Sequence, residues 1–308
     1  MERFDSVVVG GGPAGLTAAL LLGRSRRRVL VVDSGRPRNG VSHAAHSFLT
    51  QDGTPPLEIR RIGREQLGRY DVAVRDGEVA SVDGQEGAFT VTFMDGSRAS
   101  TRTVVLATGV TDELPAVDGL AAIWGSSAFH CPYCDGWEIR DQPVAFLAEG
   151  DLAAMVAGHM GPLLRNLTAD LVFLTNGSSS LDDAGRATLG QLGISRIETP
   201  ITRLVSQKGQ LERVEFADGT SLARKALFIA PQQHPNTALA SQLGCELTTE
   251  GLVSGLIVVD ALGQTSVAGV SAAGDVATPM QQLATAVSTG TLAGAGLNAR
   301  LAAALVSR

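Results

Sequence analysis

A short apolar strand, Ser6–Val9, runs straight into Gly10-Gly11-Gly12-Pro13-Ala14-Gly15, and this junction constrains the chain more than any other feature. The spacing fits G-x-G-x-x-G. The first glycine makes a tight turn. The second lets the backbone approach a pyrophosphate. The third lets helix and strand pack closely. A helix begun here presents free N–H groups and the positive end of its dipole to an anion. An ordinary glycine turn in an α/β fold is the plain alternative. The context favours the nucleotide reading, because a second strand, Val29–Asp33, ends on an acid about twenty residues on. Asp33 can accept hydrogen bonds from ribose hydroxyls and disfavours a 2′-phosphate, so FAD or NAD suits the pocket better than NADP.

The 308 residues suggest two domains, or one interrupted by another. A composition 44% hydrophobic and 18% charged supports large cores and excludes general disorder. Aromatics at 4% and 36 glycines suit parallel sheets with tight turns. The βαβ logic of the opening recurs at Val144–Ala148, Leu152–Leu164 and Leu171–Leu174. A helix is expected near Leu57–Leu67, and strands at Asp71–Arg75, Glu78–Asp83, Ala88–Phe93, Thr103–Ala107, Leu227–Ala230, Leu256–Asp260 and Val270–Asp275. A long small-residue helix closes the chain over about Gln281–Ala304. The expected fold class is α/β, with two Rossmann-like domains of FAD/NAD(P) type, the second inserted in the first. The expected boundaries are 1–117, 118–243 and 244–308.

A net charge of −6 gives no nucleic-acid footprint. The one basic run, Arg24–Arg28, suits the C-terminal end of the first helix. Three cysteines argue against a disulfide-stapled secreted fold. No signal-peptide pattern opens the chain, and no apolar stretch approaches the ~20 residues of a membrane span. A cytoplasmic, soluble protein is expected.

Cys131-Pro132-Tyr133-Cys134-Asp135-Gly136 is the second chemical signal. C-x-x-C has three readings. Half a zinc site needs a second ligand pair. Cys245 and five scattered histidines supply none at metal-ligand spacing, so no metal is expected. An inert buried thiol pair is the second reading. Redox chemistry is the third, and Pro132 and Asp135 favour it. Vicinal thiols share hydrogen bonds and helix-dipole stabilisation that lower one thiol pKa, and Asp135 can shuttle the exchange proton. His130 is either a second acid/base group or structural. Cys245 reads as an apolar filler. His43 and His46 read as polar loop residues near the flavin, with a substrate role left open. Gly274-Asp275 precedes the last helix. Its acid can bind flavin ribityl hydroxyls or merely cap a helix.

Together these residues resemble the low-molecular-weight thioredoxin reductases. The likeness covers nearly the whole chain, through Gly10–Gly15, Thr108-Gly109, Cys131–Gly136 and Gly274-Asp275. It implies a homodimer whose FAD domain is split by an NADPH domain carrying the dithiol. FAD contacts would come from Gly10, Gly12, Pro13, Ala14, Gly15, Asp33, Ser34, Asn39, Val79, Thr108, Gly109, Gly274, Asp275, Gln281 and Gln282. Cys134 would face the flavin, Cys131 would be the interchange thiol, and Asp135 the acid/base, with His130 beside it.

The middle domain departs from that pattern. A reductase would carry G-x-G-x-x-A after Val144–Ala148, but the chain reads Glu149-Gly150-Asp151-Leu152-Ala153-Ala154. Acids there oppose a pyrophosphate. The stretch Thr175–Ser180 holds no Arg or Lys for a 2′-phosphate and no acid for a ribose. NADPH binding is therefore doubtful. The segments Ser47–Gly53 and Cys131–Glu138 are similar to thioredoxin-reductase-like dithiol oxidases that close the disulfides of gliotoxin, holomycin and romidepsin. Some of those have His after the second cysteine, where this chain has Asp135. The expected function is FAD-dependent oxidation of a small-molecule dithiol, with O₂ as acceptor. The alternatives are a thioredoxin reductase driven by NADPH or ferredoxin, acting on a thioredoxin-like protein, and a flavin-binding redox sensor.

Overall fold

Val7, Val9, Leu30, Val32, Val104 and Leu106 face one hydrophobic core, while Val8, Val29, Val31 and Val105 face another. Side chains alternate across a strand, so unbroken apolar runs of this kind must lie in a sheet covered on both faces. A computed structural model describes residues 1–150, 152–177, 181–251 and 253–306. They form two compact units: Met1–Gly40, Pro56–Thr111 and Gln233–Arg308 make the first, Val41–Pro55 and Asp112–Gln232 the second.

The chain begins with β1 (Glu2–Val9), α1 (Pro13–Arg24), β2 (Val29–Asp33), a 3₁₀ turn (Arg38–Val41), α2 (Pro56–Leu67), β3 (Val72–Asp76), β4 (Val79–Gln85), β5 (Ala88–Phe93), β6 (Arg98–Leu106) and β7 (Val110–Glu113). The main sheet of the first unit runs β3-β2-β1-β6-β5-β4. β3, β2, β1 and β6 are parallel, while β4 and β5 are antiparallel additions. Besides β1, β6 serves two further partners, pairing β5 through Arg98–Thr101 and a later strand through Val104–Leu106.

The second unit contributes β8 (Ala128–Phe129), α3 (Pro132–Asp135), β9 (Val144–Leu147), α4 (Leu152–Leu167), β10 (Leu171–Leu174), α5 (Asp183–Gln191), β11 (Ser195–Ile197), β12 (Ile201–Gln207), β13 (Gln210–Phe216), β14 (Ser221–Ala223) and β15 (Ala226–Ile229). Its parallel sheet runs β11-β10-β9-β15-β8, with an antiparallel sheet β12-β13-β14 besides. The alternation recurs here: Val144, Phe146, Phe173 and Phe228 face one core, and Ala145, Leu147, Val172 and Leu227 the other. α5 was not expected from the polar sequence. Asp182 starts it by accepting the Gly185 amide at 2.8 Å, an ordinary N-cap.

The chain then forms β16 (Gln232–Pro235), α6 (Ala238–Leu243), β17 (Val270–Ala272) and α7 (Leu283–Val306). β16 pairs β7, and β17 joins β6. Leu239, Ala240 and Leu243 bury α6 in the first unit's core. The strand expected at Leu256–Asp260 is not formed. Only isolated bridges occur there, Leu247 with Ile257 and Val259 with Thr265, because the chain turns at Gly255 and Gly263, both at positive φ. α7 lies close against α1. A Cβ on Gly290 would come within 2.2 Å of the Ala14 carbonyl oxygen, and one on Gly294 within 3.1 Å of the Ala18 oxygen. Among the described residues no helix is long and apolar enough to cross a membrane.

Candidate active site

The glycine loop between β1 and α1 is built for close approach. Gly10 turns the chain at φ +109°, and a Cβ there would stand 2.2 Å from the Ala107 carbonyl oxygen. A Cβ on Gly15 would reach within 1.9 Å of the Gly10 oxygen, so α1 can start only over a glycine. Gly12 differs, since its Cβ would meet no protein atom within 4 Å. Gly12 is the helix N-cap, with no side-chain cap, followed by Pro13 and Ala14 in the first turn. This leaves backbone donors beside open space, the geometry a pyrophosphate requires. The first and third glycines are held by packing and the second faces the ligand space, so the residues present fit a dinucleotide such as FAD.

Around this cradle the first unit gathers two acids, each paired with a half-buried arginine. Asp33, at the end of β2, is 6% exposed. Its Oδ1 accepts the Gly35 amide at 3.0 Å, and its Oδ2 accepts from Arg60, with Arg64 3.6 Å away. The same carboxylate lies over Gly11, where a Cβ would be 2.2 Å from Oδ2. Each carboxylate oxygen carries two lone pairs, so Asp33 keeps acceptor capacity for a ribose hydroxyl. Asp275 pairs with Arg38 at 3.1 Å, and the same guanidinium donates to Gln281 at 2.6 Å. Gln281 donates in turn to Gln233 at 2.9 Å. Gln282 lies half-buried just before α7. Gly274, at φ +79°, donates its amide to Thr289 Oγ1 at 3.0 Å.

Thr108 and Gly109 follow β6 and are tied to Asn236. The Thr108 hydroxyl donates to the Asn236 carbonyl at 2.7 Å, and the Asn236 amide donates to the Gly109 carbonyl at 3.0 Å. Ser34 is exposed just past β2, and Asn39 sits half-buried in the 3₁₀ turn. Val79 opens β4 opposite Phe93. Its turn reaches the same region, since the Gly77 amide donates to the Asp33 carbonyl and Glu78 pairs with Arg36. Arg38, Arg60 and Arg64 are the residues that reading the sequence missed. The available signal was Arg60 and Arg64 one helical turn apart in a polar helix.

The second unit carries the dithiol. Cys131 and Cys134 form a disulfide across α3, a single turn of four residues. Cys131 is buried at 7% exposure and Cys134 is half-buried. The Cys131 carbonyl accepts the amides of Cys134 and Asp135 at 3.1 and 3.2 Å. Gly136 ends the turn, where a Cβ would collide with the Pro132 oxygen at 2.3 Å and with Leu167 of α4 at 2.5 Å. Burial, aided by the nearby Glu138 carboxylate, pushes the Asp135 pKa up to about 6, and His46 opposes the rise. An acid titrating there can exchange a proton close to neutrality. The His130 ring sits against Trp124, centroids 5.9 Å apart. Among the described residues no group of three His, Cys, Asp or Glu gathers for a metal. Cys245 is buried beside Thr265, and burial raises its pKa.

The loop of Val41–Pro55 folds with this second unit. Ser47 Oγ donates to the Tyr133 carbonyl of α3 at 2.9 Å. His46 has Nδ1 3.5 Å from Asp52 and Nε2 3.5 Å from Glu138. His43 Nε2 lies 3.3 Å from the Ser126 hydroxyl. Both histidines, read from the sequence as polar loop residues near the flavin, belong to the unit that carries the dithiol.

The β9–α4 loop is the counterpart of the glycine cradle. The Glu149 carboxylate accepts a hydrogen bond from the Asn176 side chain, which follows β10. Asn176 is at φ +51° and also accepts the Ile201 amide at 2.6 Å. The first amides of α4 are taken by the turn itself, Leu152 by the Glu149 carbonyl at 3.3 Å and Ala153 by the Gly150 carbonyl at 3.2 Å. Asp151 and Ser178–Ser180, part of the degenerate motif, lie outside the described residues. A carboxylate clasped across the strand ends and amides already engaged do not fit a nicotinamide pyrophosphate.

Residues 4–290 match the family model for pyridine nucleotide-disulphide oxidoreductases. The chain belongs to that family. It is an oxidoreductase of thioredoxin-reductase-like type, with the α/β fold and disulfide pair of the group. The chain is 35% identical to thioredoxin reductase sirT of Leptosphaeria maculans, over 96% of this chain and 93% of that protein. It is 34% identical to thioredoxin reductase aclD of Aspergillus oryzae, over 97% and 96%. Among solved structures, HlmI superposes with a TM-score of 0.92 at 38% identity, covering 99% of this chain and 94% of that one. An oxidoreductase from Agrobacterium tumefaciens gives 0.89 at 37%, covering 98% and 99%.

Proposed function

We propose that this protein oxidises a small-molecule dithiol to a disulfide, with FAD as the electron relay and O₂ as the acceptor. The observation that carries the direction is the Glu149–Asn176 clasp in the β9–α4 loop, which opposes entry of electrons from NADPH. The dithiol unit itself is intact, with Asp135 poised to exchange a proton near neutrality. The likeness of Ser47–Gly53 and Cys131–Glu138 to natural-product dithiol oxidases supports the same direction.

The steps on the protein balance. A substrate thiolate attacks Cys131, the Cys131–Cys134 bond breaks, and Cys134 leaves as a thiolate. The second substrate thiol gives its proton to Asp135 and attacks the mixed disulfide, which releases the oxidised substrate and the Cys131 thiolate. Two electrons now reside on the protein as the Cys131 and Cys134 thiolates, with one substrate proton on Asp135; the other proton went to solvent when the first substrate thiol ionised. Gly10–Gly15, Asp33 and Asp275 would hold FAD, which would supply the two-electron chemistry linking the dithiol to O₂. Cys134 is assigned as the thiol facing the flavin. His130 supports the site through its packing on Trp124. The working protein is a cytoplasmic homodimer.

A second reading is favoured by the names of the relatives: sirT and aclD are both called thioredoxin reductases. In it, NADPH or a ferredoxin-like protein reduces the flavin, and the dithiol reduces a thioredoxin-like partner. Anaerobic mixing separates the two. Dithiothreitol should bleach the yellow protein, NADPH should not, and admitted air should return the colour with peroxide formed. Rapid bleaching by NADPH would sink the oxidase reading. Cys134→Ser should lower flavin reduction by dithiol ~100-fold or more, a loss typical of removing a chemical participant.

A further inference from the structure

We propose that His46 is a positioning residue for the dithiol chemistry: held between Asp52 and Glu138 on the flank of α3, it sets how readily Asp135 takes and gives its proton. The inference rests on the reading that Cys131–Cys134 exchanges with a dithiol, and it adds a residue to that site.

The geometry is specific. The two ring nitrogens of His46 each face a carboxylate at 3.5 Å, Nδ1 toward Asp52 and Nε2 toward Glu138. A ring protonated on both nitrogens can serve both acceptors at once. Asp52 is itself fixed, because its Oδ1 also accepts the Ser47 amide at 2.8 Å. The loop is closed by Ala45 and Thr54, which bridge across its base. It is anchored to α3 by the Ser47–Tyr133 hydrogen bond. Ser47 and Thr50 both take left-handed backbone angles, φ +58° and +72°, which side-chain-bearing residues rarely adopt. Strain of this kind persists where the surroundings require it and concentrates at functional sites.

The charged groups facing this assembly are Asp52 on the loop and Glu138 and Asp135 on the dithiol segment. Asp135 feels both neighbours: Glu138 favours its protonated form and His46 opposes it. A protonated His46 beside Glu138 cancels part of the carboxylate field at Asp135. Without it, Asp135 would hold its proton to higher pH, and the pH at which it passes from acid to base in the exchange would rise with it.

The test is a pH titration of the Asp135 carboxyl in the full-length flavoprotein, using ¹³C-labelled aspartate with the resonance assigned by its loss in Asp135→Asn. In parallel, the pH profile for reduction of Cys131–Cys134 by dithiothreitol is measured. His46→Gln should raise the Asp135 midpoint by roughly half a pH unit. The exchange profile should move with it, and His46→Arg, which restores the charge, should return both. If His46→Gln does not fold, His46→Asn keeps a polar group opposite Asp52 and should give the same upward shift. An unmoved midpoint overturns the proposal. So does a midpoint that moves while the exchange profile stays. Neither readout uses O₂, so absence of peroxide from the wild-type protein would fail the oxidase reading alone.

Discussion

A carboxyl group with a pKa near 6 beside a disulfide has a stability consequence as well as a chemical one. The pKa of Asp135 is about 6 in the folded chain, against an ordinary value of 3.8, and burial is the main cause. The folded state therefore binds this proton more tightly than the unfolded state. Its contribution to stability is fully present below about pH 4 and is lost as pH rises through about 6. Asp135→Asn should equal the wild type at pH 4 and exceed it by ~2 kcal/mol at pH 8, a linkage value reduced for partial exposure. Thermal melting across that range checks this, and a constant difference between the two proteins would contradict the assignment. The same substitution should slow thiol exchange by ~100-fold, the usual scale of a lost acid/base group. Asp135 was legible in the sequence because it abuts the cysteines. His46 was not, because its carboxylate partners and the fold of its loop arise only from tertiary contact. Arg38 and Arg60 were missed for the same reason: a lone arginine carries no sign of which acid it will reach.

At the level of elements, the pattern of apolar residues gave both parallel sheets, since valine runs buried on two faces leave few alternatives. It failed where elements are short or polar. α5 depends on an N-cap and one apolar flank, and the run Leu256–Asp260 is turned by glycines at both sides before it can pair. The α1–α7 contact shows how far a glycine can specify packing. Gly290 sits with its Cα hydrogen against the Ala14 carbonyl. Gly290→Val must push α7 off α1 by more than 1 Å, so a loss of ~3 kcal/mol or more is expected, within the range for overpacked or strained cores. Gly190→Ala, on α5, meets nothing within 4 Å and should be tolerated, which makes it the control. Equal melting temperatures for the two variants would refute this account of the helix pair.

The whole molecule uses one supersecondary design twice, and the two copies have diverged in what they hold. The first keeps three glycines with separate duties, two filled by protein and one left open. Gly12→Ala should therefore fold normally and yet lose FAD affinity ~10-fold or more, measured as flavin retained after dialysis. Retention of flavin equal to the wild type would show that the open space is not where the nucleotide lies. The second copy has tied its own strand ends together through Glu149 and Asn176. On the proposed reading, its task is to hold a strand, a helix and a disulfide in register, and a scaffold constrains sequence less than a binding pocket does. Substitution scanning with flavin retention as the selected trait should find Gly10–Gly15 almost frozen. It should find the β9–α4 loop permissive, provided that Gly136 and the apolar faces of β9 and α4 are kept. On the proposed reading, a loop released from a ligand gains latitude: the edge of the second unit is free to drift and become a contact surface of new shape, while the redox turn it carries stays fixed.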